Sequence, residues 1–297
     1  MAVQTNRATQ ARRRVPWWFR AGLQALSATL PGVGAQIFER LWFTPPRPRI
    51  RESPPVDLAG YATHRLQVRG RSIVGFSAGL PSSEPPILLV HGWGGYALQF
   101  APLAAELVAR GKRIVAYDMP AHGGSDPSPL PGAQTTFFEF ERALQAIATA
   151  HGEPRAIVAH SGGCVAVMLA LQARLATSKV VFISPFGRPA AFVEAFGQAL
   201  GASDPVLKRF MVNSGSRYGF RWSDLEIANV APSLKTPPLL VVHDEGDTEV
   251  PHSDGAEIAA RWPDARLLST RGLGHRRILS DSEVLGQISE FIEPSKS

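Results

Sequence analysis

A serine held between small residues at the end of an apolar run has the context a nucleophile needs, and this chain has one in IVAHSGGCVAV, residues 157–167. Ser161 follows the buried-strand pattern RAIVAH and precedes CVAVMLALQARL, in which Val165, Met168, Leu169 and Gln172 keep a 3.6-residue period. A strand-to-helix turn this tight needs small neighbours two positions either side of the serine, because a larger Cβ would meet strand or helix; Ala159 and Gly163 satisfy it. A hydroxyl is a poor nucleophile at neutral pH. Ser161 therefore requires a base within hydrogen-bond reach and a third group to fix that base's tautomer.

Several histidines compete for the role of base. His275 is favoured, because GLGH follows the last strand pattern and its glycines let a loop carry the imidazole back over the sheet edge. His160 adjoins Ser161, but neighbouring side chains on an extended strand point oppositely, which makes it a poor base. His64, His151, His243 and His252 carry no motif. For the acid, HDEGDTEVP offers Asp244, Glu245, Asp247 and Glu249 just after a strand.

The elements that must position these groups are legible as alternating patterns. HRLQV and RSIVGFSA read as a leading hairpin; PPILLVHG, KRIVAYD, PRAIVAHS, KVVFISP, PPLLVVHD and ARLLST read as later strands. Near-continuous Val, Ile and Leu in the later runs implies strands covered on both faces, hence a parallel sheet. Helices fill the gaps, one with Phe100, Leu103, Ala104, Leu107 and Val108 on one face and Gly111 as its left-handed stop. The expected fold is α/β: a mostly parallel sheet of about eight strands flanked by helices. The core is expected over residues 56–186 and 237–297. The stretch 187–236 is longer than the other gaps and rich in aromatics, and an insertion there reads as a helical cap over a pocket. Trp93, Phe186, Phe192, Phe196, Phe210, Met211, Phe220 and Trp222 are its candidate substrate-binding residues.

Residues 1–55 form a separate arm. Leu23, Leu26, Leu30, Val33, Ile37 and Leu41 recur at helical spacing, broken at Pro31-Gly32, so two helices with an apolar stripe packed on the body are expected, then a proline-rich linker at 44–55. Trp17, Trp18 and Phe19 beside three arginines also suit an interfacial anchor on an anionic membrane. Arg20, Gln24 and Gln36 interrupt any membrane-spanning run, and Pro16 and Arg20 fit a secretory signal poorly. The first 51 residues hold nine arginines, no lysine and one acid, Glu39, a net +8 that leaves −2 for the rest of a +6 chain. A near-neutral body does not read as a nucleic-acid groove, which needs cations along the binding surface. The single cysteine, Cys164, forms no internal disulfide or multi-thiolate metal site, and a reducing cytoplasm is the expected compartment. No metal, cofactor, phosphate-loop or dinucleotide pattern is present, so none is expected. Oligomeric state is not readable from the sequence.

Four ordered segments over roughly residues 62–293 resemble the α/β-hydrolase superfamily, specifically its serine esterase and lipase branch. LLVHGWGG, residues 88–95, is similar to the loop that supplies half of an oxyanion hole. YDMPAHGGSD, residues 117–126, is similar to the family's D-x-x-G-H-G-x-S turn, with Ala121 where glycine is common. The third segment is the serine turn, with Ala159 in place of the usual first glycine. The fourth is HDEGDTEVP with GLGHRRIL. The resemblance implies a triad of Ser161, Asp247 and His275, with Asp244 as a weaker acid, and an oxyanion hole from the backbone N–H groups of Trp93 and Gly162. It implies a structural role for His91 and His122.

Serine rather than aspartate at the nucleophile removes haloalkane dehalogenase and epoxide hydrolase chemistry, which leaves acyl transfer. The expected activity is hydrolysis of a small-molecule carboxylic ester of short to medium acyl chain through an acyl-enzyme. A thioesterase, amidase, lysophospholipase or acyltransferase would use the same triad, and a non-catalytic binding protein on this fold is the competing class.

Overall fold

The computed structural model describes residues 15–47, 53–80 and 84–293. Eight strands form one sheet: β1 (Ala62–Val68), β2 (Arg71–Ala78), β3 (Ile87–Val90), β4 (Ile114–Tyr117), β5 (Ala156–His160), β6 (Lys179–Ile183), β7 (Leu239–Asp244) and β8 (Ala265–Thr270). Their order across the sheet is β1-β2-β4-β3-β5-β6-β7-β8. β1 and β2 are an antiparallel hairpin, β2 is antiparallel to β4, and all pairs from β4 to β8 are parallel. All eight expected strands are present.

The continuous apolar runs are explained by two hydrophobic layers. Leu88, Val90, Ile157, Ala159, Val180, Phe182, Leu239 and Val241 face one layer, while Ile87, Leu89, Val158, Val181, Ile183, Leu240 and Val242 face the other. Alternate residues thus leave water on opposite sides, and only the edges β1 and β8 keep exposed positions along their length. The chain runs outward from β3 to β4, then returns past β3 to lay down β5. The crevice beyond the C-terminal ends of β3 and β5 is therefore the topological switch point, where a parallel sheet leaves room for a ligand.

The helices are α1 (Trp17–Thr29), α2 (Pro31–Phe43), α3 (Ala101–Ala109), α4 (Phe137–His151), α5 (Gly163–Gln172), α6 (Pro189–Leu200), α7 (Asp204–Tyr218), α8 (Ile227–Val230), α9 (His252–Arg261), α10 (Gly274–Arg277) and α11 (Ser282–Ile292). α3 buries Leu103, Ala104 and Leu107 and is followed by Gly111 at φ 75°, as the sequence indicates. α5, which opens just after Ser161, is buried through its first eight residues, so it reads as uniformly apolar rather than amphipathic.

Between β6 and β7 the chain forms α6, α7 and α8 with short 3-10 turns. α2 packs on this segment. Phe38 lies with its ring centroid 4.9 Å from Phe210 and 5.6 Å from Phe196, and Trp42 is 5.7 Å from Trp222. Glu39, buried at 4% exposure, pairs with Arg217 of α7 at 2.5 Å. Burial raises the Glu39 carboxyl's pKa more than the Arg217 charge lowers it.

The apolar stripe expected along the arm is buried only in part: Leu23 is buried, and Leu26 and Ile37 are half-buried. Leu30, Val33 and Leu41 are exposed, while Ala35, Phe38 and Phe43 are buried. The cause is the break at Leu30, whose φ of −136° and ψ of 68° leave the helical region; the 3.6-residue phase does not carry from α1 into α2. Of the linker expected at 44–55, residues 48–52 lie outside the described residues. Pro46 lies against the loop after β3, its Cγ within 2.8 Å of where a Gly94 Cβ would stand.

A tight constraint next to Ser161 lies where β3 meets the start of α5. A Cβ on Gly163 would stand 2.6 Å from His91 O and 2.8 Å from Val90 O, both backbone atoms that no rotamer change can move away. Gly163→Ala is expected to destabilise the fold by about 2–3 kcal/mol, the scale of an overpacked core. A lowered urea midpoint with an unchanged m-value checks this.

Candidate functional site

Ser161 leaves β5 with φ 53°, a left-handed conformation that an L-residue adopts at a cost of about 1–2 kcal/mol. Its N–H donates to Ile183 O at 3.0 Å, and its carbonyl accepts from Cys164 N at 3.1 Å and Phe186 N at 3.2 Å. The backbone is fixed on both sides of the turn while the side chain stays partly open to solvent. The Ser161 hydroxyl forms no hydrogen bond among the described residues. Such bonds often tighten only when substrate is bound.

His275 begins the short helix α10 after a loop in which Gly272 and Gly274 take φ 82° and 66°. Its Nδ1 lies 2.7 Å from Asp247 Oδ2. An ionised carboxylate only accepts, so Nδ1 carries the proton and Nε2 is left as a base. Asp247 Oδ1 accepts from the N–H groups of Glu249 at 2.7 Å and Val250 at 2.9 Å. Burial raises the Asp247 carboxyl's pKa, but hydrogen bonds from His243, His275 and Val250 outweigh it and hold the group well below the usual carboxylate range.

The weaker acid candidate, Asp244, is engaged elsewhere. Its Oδ2 accepts from Leu273 N and from Thr270 Oγ1, each at 2.9 Å, and its Oδ1 from Gly246 N at 2.9 Å. Asp244 thus ties the end of β7 to the loop that delivers His275. Burial raises its pKa, and these hydrogen bonds together lower it further.

Two histidines with no motif role also hold this assembly. His243, fully buried, places Nε2 3.3 Å from Asp247 Oδ2 and 3.2 Å from Val250 O. The available signal was its position four residues before Asp247 at a strand end. His160 points away from a base position, as expected, because its Nε2–H donates to the His275 carbonyl at 2.9 Å and its ring lies 4.7 Å from the His275 ring. Burial, then the neighbouring His275, pushes the His160 pKa well down and keeps it neutral.

The loop after β3 reaches the serine turn so closely that a Cβ on Gly92 would stand 2.7 Å from Ser161 Cβ. Trp93 N would be 3.5 Å from a Cβ on Gly162, which brings the two expected oxyanion donors side by side. Neither N–H has an acceptor among the described residues. Three bonds from the 118–124 turn brace this loop, and a fourth, within the turn, holds Asp118 in place. Met119 N donates to His91 Nε2 and Gly94 N to His122 Nε2, each at 2.9 Å; Asp118 accepts from Ala97 N at 2.6 Å and Gly124 N at 2.8 Å. Both histidines donate from Nδ1 to backbone carbonyls, His91 to Gly92 O and His122 to Pro120 O. Ala121, where glycine was anticipated, takes φ 67° and bears the strain that glycine avoids.

The candidate pocket residues form two groups that meet at Phe192, whose ring is also 6.1 Å from Trp42 of α2. Trp93 lies 5.7 Å from Phe137, Phe137 6.2 Å from Phe186, and Phe186 5.0 Å from Phe192, a chain of rings leading away from Gly162. Phe137, on α4, was not anticipated; a Cβ on Gly162 would meet its ring edge at 2.9 Å. Phe196, Phe210 and Trp222 pack instead on α2, with Phe210 fully buried. Phe220 lies tilted against Phe138 and edge-on to Trp222, and Met211 O accepts the Trp222 indole N–H at 3.1 Å. No group of three or more His, Cys, Asp or Glu side chains suited to a metal occurs among the described residues.

Residues 85–220 match the model for the alpha/beta hydrolase fold. Among solved structures, a predicted CIB-like hydrolase from Thermoplasma acidophilum is similar at TM-score 0.59 and 18% identity, over 80% of this chain and 99% of that one. Naproxen esterase from Bacillus subtilis is similar at TM-score 0.59 and 18% identity, over 89% and 99%. A membrane phospholipase A described as a bacterial virulence factor is similar at TM-score 0.58 and 16% identity, over 92% and 93%.

Burial, the largest cause in each case, lowers the pKa of His91 to about 4 and of His122 to about 3. Both are neutral in the fold but take up protons in the unfolded chain below its ordinary value of 6.5. Stability from these two groups is fully present above pH 6.5 and is lost as pH falls towards 4, by about 1.4 kcal/mol per pH unit for each group. Urea unfolding across that range is expected to show the loss, and His91→Asn/His122→Asn is expected to flatten it.

Proposed function

Because this chain is an alpha/beta hydrolase by fold, we propose that it is a serine hydrolase that cleaves carboxylic esters of short to medium acyl chain. The observation that carries the reading is Ser161 in a left-handed turn at the switch point, with His275 Nδ1 held 2.7 Å from the buried Asp247 carboxylate. Ser161 Oγ attacks the ester carbonyl as His275 Nε2 takes its proton, forming the Oγ–C bond. The negative charge on the former carbonyl oxygen is met by the Trp93 and Gly162 N–H groups, each donor of this kind lowering the barrier by about 2.7–4 kcal/mol. Collapse breaks the bond to the alcohol, which leaves with the proton from His275. A water activated by the same imidazole then releases the acid and restores Ser161. Asp247 stays ionised throughout, and its fixed charge stabilises the imidazolium. The ring series Trp93, Phe137, Phe186 and Phe192 supports an apolar acyl site of limited length.

Turnover of p-nitrophenyl butyrate is expected in the wild type and is expected to fall by about 10⁴-fold or more in Ser161→Ala and in His275→Ala. Fluorophosphonate labelling is expected to be lost in Ser161→Ala. A wild type that reacts with the phosphonate but not with the ester would move the reading to thioester or transferase chemistry. Reaction with neither would end it. Rates across acetate to palmitate esters locate the acyl site, and a maximum at palmitate would replace medium chains with lipid esters.

His243 gives a second, independent prediction. His243→Leu removes one donor to a buried carboxylate, worth about 1.5–3 kcal/mol, so kcat is expected to fall by about tenfold or more with KM little changed. His243→Gln, which keeps a donor, is expected to recover most of it.

A further inference from the structure

The outward face of α1 has the wrong chemistry for a helix that meets only water. Trp17 is 79% exposed and Trp18 63%, and they are followed on the open side by Ala21, Ala25 and Leu30, the last at 56%. From Trp17 to Thr29 there is one charged side chain, Arg20, and it is not on the exposed face. Val33, 41% exposed at the start of α2, extends the surface across the break. A solvent-facing helical surface is normally charged, because apolar area left in water costs about 25 cal/mol per Å². On the inner side only Leu23 and Ser27 are buried. Phe19 and Leu26 are half-buried beside them, while the outward face keeps both tryptophans and small apolar residues open to solvent, with Gln24 and Thr29 its polar members.

Charge says what covers it. Arg7, Arg12, Arg13 and Arg14 precede the helix directly in sequence. On α7, Lys208 and Arg209 are exposed, and the Arg209 guanidinium lies 3.8 Å from where a Cβ on Gly32 would stand, at the α1–α2 junction. Tandem tryptophans flanked by arginines combine rings that favour the headgroup boundary with cations that favour anionic headgroups, the latter worth about 1 kcal/mol for each residue near the surface. A second copy of the chain would bring the same +8 arm to the same face and be repelled. At 13 residues, α1 spans roughly 20 Å against a hydrocarbon core of about 30 Å, and no helix among the described residues is long and apolar enough to cross a membrane.

We propose that the outward face of α1, led by Trp17 and Trp18, docks in the plane of an anionic bilayer surface. α2 follows directly and packs on α7, so docking sets the segment between β6 and β7 towards the lipid. The proposal does not depend on the chemistry assigned to Ser161.

Co-sedimentation of the full chain with vesicles of phosphatidylglycerol mixed into phosphatidylcholine, and of phosphatidylcholine alone, tests this. Binding is expected to the anionic vesicles, to weaken with added salt, and to fall by about tenfold or more in Trp17→Ala/Trp18→Ala. Arg12→Ala/Arg13→Ala/Arg14→Ala is expected to weaken binding and reduce its salt dependence. An unchanged thermal midpoint in each variant shows that the fold is intact. No binding to anionic vesicles, binding undiminished by the tryptophan substitutions, or equal binding to both compositions would overturn the proposal. So would a dimer by light scattering that dissolves in the tryptophan variant without any vesicle binding, which would assign the face to a second copy.

Discussion

Where the loop after β3 meets the serine turn, backbone approaches backbone with no room for a side chain, and the site is organised around that contact. Gly92, at the end of β3, and Gly163, at the start of α5, bracket Ser161 so closely that a Cβ on either would collide with main-chain or Cβ atoms of the other segment. The contact forces Ser161 into its left-handed turn and brings the Trp93 and Gly162 amides together. The strain at Ser161 persists because buried elements on both sides over-determine the turn, with β5 paired to β3 and β6 and α5 sunk in the core.

Electrostatics around this contact is arranged by neutral histidines as much as by charges. His91, His122 and His160 are driven neutral by burial, and each uses its ring to hold a backbone segment. Asp247 is the opposite case, a buried carboxylate kept ionised by donors on both oxygens. The imidazole of His275 is consequently oriented from two directions: its Nδ1 by Asp247 and its own carbonyl by His160.

How much of this was legible depended on the range of the interaction. The eight strands, the helix after Ser161 and the two-sided cover of the parallel strands follow from local periodicity, which the sequence displays directly. Ser161, Asp247 and His275 stand out in the sequence because each follows a strand pattern within a short ordered motif; the structure sets His275 Nδ1 2.7 Å from Asp247 Oδ2. His243 carried only the faint signal of standing four residues before Asp247, and Phe137 carried none, since its ring contacts with Trp93 and Phe186 join separate parts of the chain. In the arm the stripe holds through Leu23 and Leu26, but the non-helical residue Leu30 resets the helical register, and counting through it assigns the exposed Val33 and Leu41 to the buried face. The aromatic content of 187–236 was visible, but which rings lean towards Ser161 and which towards α2 is decided by packing alone.

The packing of Phe38 and Trp42 among Phe196, Phe210 and Trp222 joins two stretches more than 150 residues apart in the chain into one hydrophobic unit. Exchange of the 187–236 stretch for that of another protein would leave the rings of α2 facing a surface they were not shaped for, and loss of α2 would strip α7 of its partner. The two segments are thus tied to co-inheritance: they have to be replaced together, and a chimera that moves only one would expose rings whose partners stayed behind.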